Sequence, residues 1–316
     1  MERRNFLNMI TAGLAVTQVK PAQSQTTGGN VFLEKPAAGK PHTGKVLAAI
    51  QPHSDDIPIY CGGTVAKLVE EGYTGYLIRA TNDDMGDDVG EPGTIGENVL
   101  RNERETRAMA RALGISKVFD LNYNNHRMSG ISQPELQLRL IFLFRLLKVD
   151  TIFCYDPWGH DEENPDHYVL AQCVEAACWM AGREHDYPEH MAAGLQTHAV
   201  KEKYYYARRP EVNRVVDISG TVDKKVEANR MNRAKGPGGG HGTKLRKELA
   251  AKGQRLPLLD GDEVAAERAY IKEFMLDRNR QLGQQYGVGY AEAFHYIGTR
   301  PSRVDEYIRK NAVPLR

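Results

Sequence analysis

The sequence predicts an α/β protein built on a parallel sheet. Short apolar runs such as Ala48-Ala49-Ile50 and Thr151-Ile152-Phe153-Cys154-Tyr155 are bounded and not spaced like helices, so they read as buried strands. Longer amphipathic stretches alternate with them, and a strand–helix–strand order calls for right-handed crossovers between parallel neighbours. Polar clusters fall just past the strand ends, where open α/β sheets bind ligands.

Taken in order, residues 1–26 do not read as domain structure. Arg3-Arg4-Asn5-Phe6-Leu7 is a twin-arginine pattern, a weakly apolar stretch follows, and Ala22-Gln23-Ser24 offers small residues for cleavage. The expectation is a bacterial Tat-type export signal and an exported, periplasmic or extracellular protein. Residues 27–43, rich in Gly, Pro and Lys, read as a linker. Lys45 to Gln51 is the first strand. Cys61 to Glu71 is a helix stopped by Gly72, with Val65, Leu68 and Val69 on its apolar face. Tyr73 to Thr81 is the second strand. The acidic run from Asn82 to Asp88 lacks the ligand spacing of an EF-hand and reads as a solvated loop. Asn98 to Leu113 is a helix closed by Gly114.

Val118 to Leu121, Thr151 to Tyr155, Lys203 to Ala207 and Val212 to Ile218 read as further strands. Glu135 to Leu147, Tyr168 to Ala181, Val222 to Arg233 and Lys244 to Lys252 read as helices, and Glu263 to Gln285 as one long helical pattern. The glycine-rich segment Gly236 to Gly242 reads as a flexible break inside an inserted region near 232–262, and its His241 as a solvated loop residue. The expected organisation is signal, linker and one domain over residues 44–316.

Composition excludes several function classes. Lys and Arg number 42 against 41 Asp and Glu in 316 residues, so charge makes no case for nucleic acid or an anionic membrane as partner. Past the N-terminus no apolar run approaches the ~20 residues of a membrane span. Cys61, Cys154, Cys173 and Cys178 form no CxxC pair and sit in apolar surroundings, so they read as buried thiols. No GxGxxG follows the first strand, which argues against a dinucleotide site.

Two stretches carry chemistry. In His53-Ser54-Asp55-Asp56, one imidazole and two carboxylates follow the first strand. His53 and Asp56 can bend onto one metal ion if the loop turns, leaving Asp55 beside it as a base. The same residues also suit an ordinary polar cap for the next helix. The second stretch runs from Asp156 to His167, again after a strand. Asn164 and Pro165 fit the N-cap and first turn of the following helix, so a capping role alone is also open there. His53, Asp56 and His167 together make a catalytic zinc set with a position left for water or substrate. Zinc lowers the pKa of bound water to ~7, and a nearby carboxylate can take its proton and return it to a leaving amine.

These two motifs, in their strand-end settings, resemble those of the LmbE/PIG-L family of zinc-dependent de-N-acetylases, usually His-Pro-Asp-Asp and His-Pro-Asp-His. Supporting likenesses are Glu105 with Arg111-Ala112-Leu113-Gly114, Val216-Asp217-Ile218-Ser219 with Lys225 and Ala228, and Tyr290-Ala291-Glu292-Ala293-Phe294. The likeness spans about residues 45–298. It implies a Rossmann-like sheet with helices on both faces. It implies His53, Asp56 and His167 as ligands of Zn2+, Asp55 as general base, and Asp166 as a support that holds an imidazole in its tautomer. The reaction implied is removal of an N-acetyl group from an N-acetylglucosamine-type sugar; members of the family often assemble into homo-oligomers, and the sequence itself does not reveal the oligomeric state.

The sequence departs from the family at two positions. Ser54 replaces a proline. Asn164 replaces a histidine that helps stabilise the oxyanion in the family, and Asn can donate a hydrogen bond but carries no charge. Asn164 or His160 is expected to take that role. Arg101, Arg104, Asn124, His126, Arg127 and Trp158 are candidate sugar contacts, each with a structural alternative. The rival readings are a zinc amidase or esterase acting on a non-sugar, and a carbohydrate-binding protein without activity.

Overall fold

The computed structural model describes residues 31–85, 93–159, 161–207, 211–299 and 302–314. Its strands are β1 (Phe32–Glu34), β2 (Val46–Gln51), β3 (Thr74–Thr81), β4 (Lys117–Tyr123), β5 (Thr151–Tyr155), β6 (Glu202–Tyr206), β7 (Arg214–Asp217) and β8 (Ala291–Ile297). Its α-helices are α1 (Asp56–Tyr60), α2 (Gly62–Glu70), α3 (Ile95–Ala112), α4 (Gln133–Leu147), α5 (Pro165–Met180), α6 (Glu189–Ala192), α7 (Val222–Met231), α8 (His241–Ala251), α9 (Glu263–Tyr270), α10 (Asp277–Gln285) and α11 (Arg303–Asn311).

The strands form one eight-stranded sheet in the order β1-β7-β8-β6-β5-β2-β3-β4. All neighbours are parallel except β8, which runs antiparallel to both β6 and β7. This is the open, mostly parallel sheet the sequence predicts. Strand β2 is the pivot. It pairs with β3 through Val46↔Thr74 to Gln51↔Arg79, and with β5 through Leu47↔Thr151 to Ala49↔Phe153. The chain passes outward from β2 to β3 and β4, then returns to β5 on β2's other side. The loops after β2 and β5 therefore flank one crevice at the switch point of the sheet.

Helices α2, α3 and α7 pack together as one layer, and α4 with α5 as another. All five residues of β5 are buried, and Leu47 to Ile50 of β2 are inaccessible. Each large apolar side chain so buried contributes ~1.5–3 kcal/mol. Helix starts follow local chemistry. Thr94 and Glu97 form a reciprocal capping box, which begins α3 earlier than apolar spacing alone predicts. Ser132 caps α4, and Asn164 with Pro165 opens α5. Among the described residues, no helix is long and apolar enough to cross a membrane, and all four cysteines are free and buried.

The structure corrects three expectations. The expected linker contains β1, pinned where Glu34 meets Lys67 and Arg214. The glycine-rich segment is not a loose break. Gly236, Gly238, Gly239 and Gly240 are buried, and a Cβ at Gly239 or Gly242 would lie 2.6 Å from the Asn232 carbonyl oxygen or 2.5 Å from that of Ala266. Glycine is there because backbones touch. The long pattern from Glu263 to Gln285 is interrupted by a π-turn over Ile271–Met275, which turns Ile271 and Leu276 into a small cluster with Val226. The tail supplies β8. Residues 1–26, with the Tat-type signal, lie outside the described residues.

Candidate active site

The loop after β2 turns tightly because its polar groups are used internally. The His53 amide donates to Asp56 Oδ2 at 2.8 Å, the Ile57 amide to Gln51 Oε1 at 3.0 Å, and the Ser54 amide to Asp83 Oδ2 at 3.0 Å. Asp83 is fully buried and paired to Arg79 at 3.3 Å, which also donates to Asp120 at 2.8 Å. The acidic segment after β3, read from the sequence as a solvated loop, thus begins with a buried brace for the first motif. Asp84 ties the loop after β4 to it, accepting from the Asn124 amide group and the Asn125 backbone, both at 2.9 Å.

His53, Asp56 and His167 converge. His53 Nδ1 lies 3.1 Å from His167 Nε2 and 3.6 Å from Asp56 Oδ2, and His167 Nε2 lies 3.8 Å from Asp56 Oδ1. Tetrahedral zinc with bonds near 2.1 Å separates its ligands by about 3.4 Å. The triangle therefore fits one such ion. On the far side of the imidazoles, His53 Nε2 hydrogen-bonds Asp166 Oδ2 at 3.1 Å, whereas His167 Nδ1 lies 3.1 Å from Glu162 Oε1 outside hydrogen-bond geometry. Asp166 holds a proton on the outer nitrogen of His53, and the inner nitrogens of the two imidazoles face each other. Such a pair needs a cation or a proton between them.

Electrostatics agree. Burial pulls the His53 pKa down, yet hydrogen bonds to Asp166 and Asp56 and the nearby carboxylate charges push it up to about 10. Burial raises Asp56, but His167, His53 and the Tyr155 hydroxyl hold it down at about 2. A site that captures a proton this strongly offers the same donors to a divalent ion.

Asp166 has a second task. Its carboxylate accepts from the backbone amides of His126 at 2.6 Å and Met128 at 3.1 Å, so it fixes the loop after β4 as well as His53. Tyr155, at the end of β5, donates to Asp56 Oδ1 at 2.7 Å, and its ring stacks on His167 at 4.2 Å. Tyr155, Glu162 and Asp83 are site residues that the sequence reading missed. Their only signal is position at strand ends beside the motifs.

Asp55 lies beside the triangle at the N-cap of α1, but its side chain makes no capping bond. Its Oδ1 is buried and without a hydrogen-bond partner. Burial and the Asp56 charge raise its pKa well above the carboxylate range, against Lys235 and His53. A carboxylate held back from structure and made more basic is suited to proton transfer.

The other predicted residues separate. Asn164 caps α5 by accepting from the Asp166 amide at 3.0 Å, which leaves its NH2 group as the donor. His160 lies outside the described residues. His126 is exposed, with its ring 6.2 Å from that of His53. Trp158 is exposed at the rim and donates to Glu175 at 3.0 Å. Arg127 and Arg104 are exposed, Arg101 is half-buried on α3, and Asn124 is committed to Asp84. A cavity of about 610 Å³ lies beside the triangle, not over it. It is lined by Tyr60, Tyr205, Phe274, Arg278 and His295 among others, and Tyr60 packs edge-on against Tyr155 at 5.5 Å.

Comparison with known proteins agrees with this geometry. The family profile described as PIG-L, GlcNAc-PI de-N-acetylase, matches residues 48–178. A diacetylchitobiose deacetylase of Thermococcus kodakarensis is 28% identical over 194 residues, covering 61% of this chain and 71% of that protein. The N,N'-diacetylchitobiose deacetylase of Pyrococcus horikoshii superposes with a TM-score of 0.64 at 23% identity, over 80% of this chain and 84% of that one. GalB, a 4-carboxy-2-hydroxymuconate hydratase of Pseudomonas putida, superposes at 0.59 with 18% identity, over 82% and 98%. The structural likenesses establish the fold, and GalB shows that this fold also hosts another reaction. Both motif loops fall inside the matched segment, and residues 48–178 of this chain are a domain of the PIG-L (LmbE-like) family of de-N-acetylases.

Proposed function

We propose that the protein is a zinc-dependent hydrolase that removes an N-acetyl group from an N-acetylglucosamine-type sugar. The observation that carries the reading is the pairing of a three-donor triangle, His53, Asp56 and His167, with the unengaged carboxylate of Asp55. A divalent ion held by the triangle would lower the pKa of water and polarise the acyl carbonyl.

The chain's own residues do the rest. Asp55 takes a proton from the attacking water and returns it to the departing amine, so one carboxylate serves as base and then acid. Asp166 keeps the His53 imidazole in the tautomer that presents its inner nitrogen, and the Glu162 carboxylate lies beside the outer nitrogen of His167. The NH2 group of Asn164 donates to the developing oxyanion, worth about 3 kcal/mol in comparable acyl-transfer sites. Of the candidate sugar contacts, the exposed His126, Arg127 and Trp158 are free to meet a sugar, whereas Asn124 is bonded to Asp84 and Arg101 is half-buried. The Arg3-Arg4 leader supports export in folded form, which a signal-processing assay in a Tat-deficient host would test.

A second reading, hydrolysis of a non-sugar amide or ester, is favoured by one observation: Asn164 stands where the family has histidine. Acetate release from N,N'-diacetylchitobiose and N-acetylglucosamine, measured beside simple esters and N-acetyl amino acids, separates the two. The deacetylase reading predicts turnover of the sugars at least tenfold above the other classes. Preference for a non-sugar substrate would replace it.

A further inference from the structure

Helix α7 runs antiparallel to the α1–α2 segment, and three bonds record its path. Thr221 Oγ1 donates to the Gly63 carbonyl at 2.8 Å, Lys225 Nζ to that of Ile59 at 2.6 Å, and Asn229 Nδ2 to that of Pro58 at 2.9 Å. Each step moves closer to Asp55, at the start of α1. The turn that leaves α7 therefore arrives beside the proton-transfer carboxylate.

That turn is braced. The backbone amides of Arg233 and Ala234 both donate to Glu105 Oε2 on α3, each at 2.7 Å. A Cβ at Gly236 or Gly239 would lie 2.6 Å from the Asn232 carbonyl oxygen, so the chain folds back on itself with no room for side chains there. Lys235 sits between these anchors and is half-buried. Its charge reaches two carboxyls, acting against the burial that raises both Asp55 and Asp83. Yet its ammonium forms no hydrogen bond or ion pair with the described residues. In the same turn the Asn232 side chain is fully buried with both amide atoms unpartnered. A braced backbone that presents an unpaired cation to a catalytic carboxylate, beside an orphaned amide, is unusual unless a ligand completes it.

We propose that Lys235 is a substrate-binding residue of the site, donating its ammonium hydrogen bonds to a sugar oxygen on the Asp55 side. The inference rests on the deacetylase reading for the identity of the sugar. It adds a cationic contact from the segment after α7, outside both motif loops, to a site whose Asn164 carries no charge. The contact exists with bound substrate and in the transition state alike, so it acts on KM rather than kcat.

The test compares zinc-loaded wild type, K235M and K235R. With N,N'-diacetylchitobiose, K235M is expected to raise KM at least tenfold while kcat stays within threefold, and K235R to recover most of the loss. Zinc content and Tm should match across the three proteins, because Lys235 makes no hydrogen bond or ion pair among the described residues. Unchanged KM in K235M overturns the proposal, as does a loss that comes with lost zinc or a lowered Tm. Calorimetric binding of N-acetylglucosamine supplies an arm that needs no turnover. If wild type binds the sugar without hydrolysing it, a tenfold weaker K235M upholds the Lys235 contact while the deacetylase reading falls. Equal affinities, or no binding by wild type, overturn it.

Discussion

The Tyr155 hydroxyl donates to Asp56 Oδ1 at 2.7 Å while the ring of the same residue stacks on His167 at 4.2 Å, so one side chain at the end of β5 orients two members of the triangle. Burial and the Asp56 charge raise the phenol's pKa, which keeps it protonated and donating. Y155F keeps the ring and removes the bond. Outer partners of this kind typically contribute 10–100-fold in metal affinity. Zinc binding measured by chelator competition should weaken by about that factor, with little change in Tm. Wild-type affinity in Y155F would show that Asp56 needs no such partner.

Asn164 caps α5 and is proposed to donate to the oxyanion, and two substitutions separate the two roles. N164A removes the cap of α5, which costs about 1 kcal/mol, and also removes the donor. N164D keeps an acceptor for the Asp166 amide but lacks NH2. Both should slow acetate release at least tenfold, while only N164A lowers Tm appreciably. Full activity in N164D would move the oxyanion role elsewhere, with His160 the first residue to substitute.

A buried ion pair joins the two ends of the domain. Glu292 accepts from the Gly63 amide at 3.0 Å, the Thr64 amide at 2.8 Å, the Thr64 hydroxyl at 2.6 Å and Lys225 Nζ at 2.7 Å, and neither charge is exposed. Removing one partner leaves the other charge buried, a change of about 3–5 kcal/mol. K225M should therefore lose that much in urea unfolding. A loss under 1 kcal/mol would mean that the backbone donors alone satisfy Glu292.

Glu34 gives the fold a pH dependence. Burial raises its pKa, but Lys67 at 2.9 Å and Arg214 at 2.6 Å outweigh this and hold it below the ordinary value. A depressed carboxyl contributes stability that is present above its unfolded pKa of about 4.3 and is lost as pH falls through the folded value. Wild type should thus lose stability below about pH 4 faster than E34Q. Parallel acid limbs for the two proteins would contradict this pairing.

The parallel order of the sheet was legible because buried strands and amphipathic helices have different periods, and because β2, β3 and β5 are short apolar runs with clear punctuation. Strand β8 was not, since Ala291-Glu292-Ala293 has helical composition. Its strand state is set by antiparallel pairing with the distant β6 and β7, which no local pattern reveals. The glycine-rich turn misled for a related reason: glycine marks close backbone approach as well as flexibility, and only the packing against Asn232 and Ala266 distinguishes them. In the site, His53, Asp56 and His167 could be grouped from the sequence because residue types with metal-ligand chemistry stood at two strand ends. Tyr155, Asp83 and Glu162 could not, because each acts through a contact made only after the loops have met.

Asp55 lies beside the triangle with no capping bond and with its buried Oδ1 unpartnered among the described residues. The most direct measurement is acetate release from N,N'-diacetylchitobiose by zinc-loaded wild type and D55N, with zinc content determined in both. General acid–base catalysis contributes about 10²–10⁴-fold. The expected result is a turnover at least a hundredfold lower in D55N with zinc content unchanged. Wild-type turnover in zinc-replete D55N would contradict the assignment of Asp55 as the proton-transfer group.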